Sequence, residues 1–176
     1  MWIKRSRRIK KPRCGCSRWR MNTERPVTQH LPCALLLSIR GLAEITAMNC
    51  WGPNDFNTYS IDQLEPLMML MKAEPDQVMW LDGERWMTLV VQFRDGRSAT
   101  VSCFGTGSPF VTNIGGKNKS KMVTVESDFF REFIKELCRF YQTGEIQVPH
   151  EDTISIMAVR GAGLRAQQTP GVWVKV

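Results

Sequence analysis

Between residues 77 and 126, short apolar runs alternate with turn signals, and this rhythm restricts the fold more than any other feature of the chain. Runs at 77–81, 86–93, 97–104, 110–114 and 121–126 are separated by Asp82-Gly83, by Asp95-Gly96, by a glycine-rich link after Phe104, and by Gly115-Gly116. Runs of this length bounded by Gly and Asp form strands. Asp-Gly supplies the positive-φ residues of tight hairpin turns, so neighbouring strands pair antiparallel. In the run 86–93, Met87, Leu89, Val91 and Phe93 share one face while Thr88 and Gln92 point the other way. Val90 and Phe104 sit on that second face among Thr88, Gln92, Thr100 and Ser102, a mixed surface suited to a partner sheet.

The flanks add helices. Residues 43–50 alternate as a strand, and Trp51 to Asp55 form a loop. A helix over 59–72 carries Ile61, Leu64, Leu67, Met68, Leu70 and Met71, with Pro66 required either in its first turns or at a kink. A helix over 128–142 starts with Ser127 as N-cap and Asp128 in the positive first turn. Its apolar stripe combines Phe129, Phe133 and Leu137 with Phe130, Ile134 and Tyr141. After a turn at Gly144, a further helix over about 151–168 presents Ile154, Met157, Ala158, Gly161 and Leu164. Gly161 and Gly163 each cost that helix about 1 kcal/mol relative to Ala, and small residues there bring it close to a neighbour. Pro170-Gly171 ends it, and 172–176 is a terminal strand. The expected fold class is α+β: an open, mainly antiparallel sheet with helices packed on one face, the helices at 128–142 and 151–168 among them.

Charge divides the chain in two. Residues 1–26 hold ten Lys/Arg and one acid, a net of +9, whereas the remainder holds fourteen Lys/Arg against sixteen acids. The basic character therefore belongs to an arm over 1–40, which lacks apolar periodicity and is expected to be disordered, and the folded domain occupies 41–176. Ser6-Arg7-Arg8 and the apolar Ala34 to Leu37 resemble an export signal, but Arg18, Arg20, Glu24 and Arg25 intervene. No run reaches the length of a membrane span. Six cysteines without a secretory signal indicate a reducing compartment, and a cytoplasmic location is expected.

Three motifs invite chemistry. Gly161-Ala162-Gly163-Leu164-Arg165-Ala166 fits the G-x-G-x-x-A dinucleotide pattern, but that fingerprint needs a helix, a second strand and an acid about twenty residues further on. It is expected to be a helix interior, and no NAD(P) binding by this chain alone follows from it. Cys14, Cys16, His30 and Cys33 are four soft ligands within twenty residues and offer a zinc set, though no strand or knuckle pattern frames them. The arm's arginines, with Trp2 and Trp19, offer phosphate contacts and stacking, and a solvated extension is the preferred reading over a nucleic-acid module.

The segment 54–65 is Asn54, Asp55, Phe56, Asn57, Thr58, Tyr59, Ser60, Ile61, Asp62, Gln63, Leu64 and Glu65. By composition it is a capped helix start. Together with Trp51-Gly52-Pro53, the helix after it and the layout of 128–176, it resembles the C-terminal domain of the Gfo/Idh/MocA (glucose–fructose oxidoreductase / inositol dehydrogenase) family. The resemblance implies a substrate and oligomerisation domain that normally follows a nucleotide-binding domain. It places Thr58 at the position of the family's catalytic Asp, Ser60 at a Gly, Asp62 at the catalytic His and Glu65 at the last acid of the signature. Asn54, Asp55, Tyr59 and Glu65 are then the implied substrate contacts. Only Glu65 keeps the family's chemistry. An imidazole relays protons near neutral pH, and an unperturbed Asp is a much weaker base there. The family's Lys, which belongs to the nucleotide domain, has no counterpart.

The resemblance thus implies an NAD(P)-dependent oxidoreductase lineage, with NAD or NADP used by full-length relatives, a sugar or polyol as the small-molecule ligand, and a homo-oligomer formed through the sheet. The chain itself is expected to be a truncated member, inactive alone. Two alternatives stay open: a subunit completed by a separate nucleotide-binding chain, and a nucleic-acid module that uses the basic arm.

Overall fold

The structure is a computed structural model that describes residues 42, 44–124, 129–144 and 150–176. The basic arm, the Cys14/Cys16/His30/Cys33 set, the Ser127 cap and Asp128 lie outside the described residues. Seven strands and three helices follow in chain order: β1 (Ile45–Gly52), α1 (Phe56–Met71), β2 (Pro75–Asp82), β3 (Met87–Phe93), β4 (Ser98–Cys103), β5 (Val111–Gly116), β6 (Ser120–Thr124), α2 (Phe129–Thr143), α3 (His150–Ala166) and β7 (Trp173–Lys175). The strands form one sheet in the order β6-β5-β1-β4-β3-β2-β7. Every pair is antiparallel except the central β1–β4 pair, which is parallel. The α+β class and the mainly antiparallel sheet are those expected.

The alternation in β3 is as read. Met87, Leu89, Val91 and Phe93 are buried, and Thr88, Val90 and Gln92 are only partly covered. With Met48 and Cys50 of β1, Val78 and Trp80 of β2, and Ala99 and Val101 of β4, they make the floor of the core. Helices α1 and α3 lie on this floor and against each other. Arg97, in the β3–β4 turn, secures the far end of α1. Its guanidinium donates to the carbonyls of Met71 (2.6 Å) and Ile45 (2.8 Å) while Nε donates to Asp95 (2.8 Å). A cation from another element thus caps a helix C-terminus that has no basic residue of its own in its last turn.

Several local readings change. Pro66 sits in the interior of α1, past its first turns, and the helix continues through it. Its missing N–H leaves the Asp62 carbonyl without its usual helical donor. In α3 the buried residues are Ile156, Val159, Ala162, Gly163 and Ala166, whereas Ile154 and Met157 are exposed. The helix is rotated from the expected face because small residues let it approach more closely. A Cβ on Gly163 would lie 2.8 Å from Phe56 Cζ and 3.2 Å from Leu89 Cδ2, while Gly161 meets nothing closer than Arg165 Nη1 at 3.8 Å. In α2, Ile134 is 41% and Tyr141 71% exposed, and the helix–sheet contacts seen among the described residues are those of α1 and α3. Gly115 and Gly116 belong to β5 rather than to a turn. The Asp95-Gly96 turn does use a positive φ, 86° at Gly96. At Asp82-Gly83 it does not, and the role of Gly83 is steric.

The second face of the sheet lies opposite the core that α1 and α3 cover, and Ser102 and Val111 on it are also buried. Cross-strand partners place Met122, Asn113, Asn49, Thr100, Val90, Met79 and Trp173 in one row that crosses all seven strands. In the rows on either side, Lys175 is the sole charge. Polar side chains on this face bond laterally: Thr88 with Ser102 (2.7 Å), Gln77 with Gln92 (2.6 Å) and Thr100 with Asn49 (2.9 Å).

Candidate functional site

Because β1 and β4 run parallel, both end on the same side of the sheet, and the chain leaves β1 directly into α1. Asn54 takes a positive φ of 59° and donates its N–H to the Gly105 carbonyl at 2.8 Å, which ties the two strand exits together. Asp55 is the N-cap of α1: it accepts from the Thr58 N–H at 3.0 Å and from the Thr58 hydroxyl at 3.0 and 3.2 Å. These bonds from Thr58 hold the Asp55 carboxyl below the usual carboxylate range. Both residues are thereby occupied in starting the helix, and Thr58, which the resemblance had set at a catalytic position, acts here as the partner of a cap.

One turn further on, Asp62 is half-buried, and burial pushes its carboxyl above the usual range. The helical period sets Thr58, Asp62 and Glu65 on one face, opposite Ser60, Leu64, Leu67 and Met71, which are buried. Glu65 is 7% exposed. The structure therefore brings together three of the residues that the resemblance picked out. Tyr59 leaves this face, and its ring meets that of Phe110 at 5.8 Å. Asn54 and Asp55 border a different feature.

That feature is a cavity of about 270 Å³ between the start of α1, the β2–β3 loop and the residue after α3, lined by Asn54, Asp55, Trp80, Asp82, Arg85, Trp86 and Gln167 among others. Trp80 is 3% exposed and stands edge-on to Phe56 at 5.3 Å; its indole N–H finds no acceptor among the described residues. Trp86 is 45% exposed and folds over Gly83, where a Cβ would lie 2.7 Å from its Cε2. Sequence reasoning passed over Trp80, Asp82, Arg85 and Trp86. The available signal was two tryptophans bracketing a charged hairpin tip, in a position where a solvated turn has no need of them.

Other groups are less suited to chemistry. Cys50 is buried, and burial pushes its thiol up to about 12. Cys103 is shifted the same way, chiefly by burial, so neither is an activated nucleophile. Among the described residues no group of three His, Cys, Asp or Glu is placed to hold a metal, and no helix is long and apolar enough to cross a membrane. Gly161 to Ala166 all lie inside α3, so they do not form the strand–loop–helix cradle of a dinucleotide.

No protein-family model matches the sequence, and no curated protein matches it. Solved structures do match. The scyllo-inositol dehydrogenase of Lactobacillus casei, with NAD(H) and scyllo-inositol bound, superposes with a TM-score of 0.65 at 15% identity over 84% of this chain and 61% of that one. GenD2 of gentamicin A biosynthesis, in complex with NAD, gives 0.67 at 12% identity over 85% and 61%. The myo-inositol 2-dehydrogenase of Lactobacillus plantarum gives 0.64 at 14% over 84% and 62%. The chain has the fold of part of these proteins. They are oxidoreductases of the Gfo/Idh/MocA type, consistent with the resemblance read from the sequence and with its C-terminal domain. The chain spans less than two thirds of the length of each.

Proposed function

We propose that this chain is the substrate-binding and subunit-contact domain of a sugar- or polyol-oxidoreductase type, without hydride transfer of its own. The observation that carries the reading is the fold shared over 84% of the chain with an inositol dehydrogenase that holds NAD(H) and scyllo-inositol. The described residues do not fit a nicotinamide dinucleotide: the one glycine pattern resembling its cradle is helix interior. What the chain does offer is a half-buried carboxylate, Asp62, on the face of α1 that also carries Thr58 and Glu65. Burial raises its pKa and so makes it a stronger base than a solvated carboxylate. The open sheet face supports the subunit contact. It is nearly uncharged, and its polar side chains already satisfy one another, which lowers the cost of removing them from water.

The test is calorimetric titration of the purified chain with NADH and, separately, with myo-inositol. No heat with NADH at micromolar ligand and saturable heat with myo-inositol are expected. Saturable NADH binding at micromolar concentration would refute the reading.

A further inference from the structure

Two hairpin tips carry the same dipeptide, Asp82-Gly83 after β2 and Asp95-Gly96 after β3, and their carboxyls are held very differently. We propose that Asp82 is a site of spontaneous covalent modification, at which the Asp82-Gly83 link converts through a cyclic imide to isoaspartate, and that Arg97 withholds the same reaction from Asp95-Gly96. The inference is independent of the function proposed above.

The reaction belongs to the dipeptide. The main-chain nitrogen of the following residue attacks the aspartyl side-chain carbon, and glycine, without a Cβ, leaves that nitrogen open to approach. Starting from the protonated carboxyl, a bond forms between the Gly83 nitrogen and Asp82 Cγ and a Cγ–O bond breaks. The oxygen leaves as water, taking its own proton and the amide proton. Water then adds to either carbonyl of the imide. Opening at the side-chain carbonyl restores aspartate. Opening at the main-chain carbonyl leaves the chain running through Cγ, with the former main-chain carbonyl as a free carboxylate. Water is lost and regained, so no oxidant, reductant or other co-reactant enters.

The nucleophile is held alike at both tips. The Gly83 N–H donates to the Trp86 carbonyl at 2.9 Å and the Gly96 N–H to the Phe93 carbonyl at 3.0 Å. The electrophile is not. Asp95 accepts from the Arg97 N–H at 3.1 Å through Oδ1 and from Arg97 Nε at 2.8 Å through Oδ2, with Arg97 Nη2 2.7 Å from the same Oδ2. Arg97 is itself anchored on the carbonyls of Ile45 and Met71, so the carboxyl turns toward Gly96 only by breaking charge-assisted bonds. The same bonds hold it below the usual carboxylate range, away from the protonated form that loses water. Asp82 is exposed, and its carboxyl has no hydrogen-bond or ion-pair partner among the described residues. A single main-chain hydrogen bond therefore restrains this tip, and such tips open locally at little cost. The product adds one carbon to the main chain between the last ladder pair, Asp82 with Met87, and Gly83, where a Cβ would already collide with the Trp86 indole. Asp82, Gly83 and Trp86 all line the cavity at the start of α1, so the modification rebuilds that wall.

The experiment incubates the full chain at neutral pH, folded and in concentrated urea. Isoaspartate is counted by methyl transfer from S-adenosylmethionine with a protein isoaspartate methyltransferase and located by peptide mass spectrometry. In the folded chain it is expected to accumulate at position 82 several-fold faster than at 95. In urea, where the Arg97 bonds are gone, the two positions are expected to react at comparable rates. Asp82→Glu, whose longer side chain no longer closes the same ring, is expected to remove most methyl transfer to the folded chain with the thermal midpoint unchanged. Arg97→Ala is expected to bring position 95 up to the rate of position 82, and the rate at 82 in the same molecules reports any general loosening of the fold. Equal accumulation at both tips of the folded parent, no isoaspartate at 82, or an Asp95 that stays unreactive in urea or in Arg97→Ala would overturn the proposal.

Discussion

The two glycines of α3 offer a paired test of how closely that helix is seated. Both occupy helix interior, where Ala is favoured over Gly by about 1 kcal/mol. Their surroundings differ. A methyl at 161 enters open space, with Arg165 Nη1 at 3.8 Å as its nearest neighbour. A methyl at 163 meets Phe56 Cζ at 2.8 Å and Leu89 Cδ2 at 3.2 Å. Phe56 is 2% and Leu89 0% exposed, and the Phe56 ring is held against Trp80, so neither can swing clear. Overpacking of this kind costs about 1–3 kcal/mol. Gly161→Ala is therefore expected to stabilise by about 1 kcal/mol, raising the thermal midpoint by about 2–4 °C for a chain of this size. Gly163→Ala gains the same propensity and loses more to strain, for a net loss of about 1 kcal/mol and a midpoint lower by a similar interval. Propensity cancels between the two variants, so their difference reads the packing term alone. Urea unfolding, with equal m-values confirming an unchanged unfolded state, gives that difference directly. If Gly163→Ala is as stable as Gly161→Ala, α3 does not sit on Phe56 and Leu89 as described.

Two further outcomes are expected. Burial raises the carboxyl pKa of Asp62 in the folded state, so its contribution to stability is present at acid pH and lost as pH rises through the folded value; Asp62→Asn should exceed the parent in thermal midpoint at neutral pH, with the margin vanishing below about pH 4, and equal midpoints at neutral pH would contradict the burial. The open sheet face should pair with a second copy, so light scattering over a dilution series should show a dimer that Val90→Glu, a charge placed mid-row, converts to a monomer; a parent chain that is monomeric at high micromolar concentration would refute this contact.

Strand positions and the buried side of β3 were legible because a period of two is carried by large residues, Met87 to Phe93, that have no second way to pack. Neighbour relations were not. The alternation says which face is buried but not that β1 slots between β4 and β5, since that depends on contacts far apart in sequence. The misreading of α3 has a specific cause. Its contact face is built from Ala162, Gly163 and Ala166, so hydrophobicity is nearly even around the helix, and the larger Ile154 and Met157 drew attention to the wrong side. For the site, the spacing of Thr58, Asp62 and Glu65 was enough to put them on one helix face. The cavity was not legible, because its walls come from the start of α1, a hairpin tip and the residue after α3, and no single window of sequence holds them.

The parallel pair at the centre of the sheet also sets an order of assembly. The hairpins β2–β3, β3–β4 and β5–β6 join near neighbours and close at little entropic cost. Strand β1 has no such neighbour. Asn49 meets Thr100, 51 positions away, and Thr46 meets Gly115, 69 positions away. Until β1 is inserted, the edges of β4 and β5 are bare and side chains such as Val101 and Ile114 have no cover. Insertion of β1 at the middle of the sheet is therefore expected to be a late, long-range step, as is the pairing of β2 with β7. The same interval is when two unfinished chains are most exposed to pairing with each other's open edges instead of with their own β1.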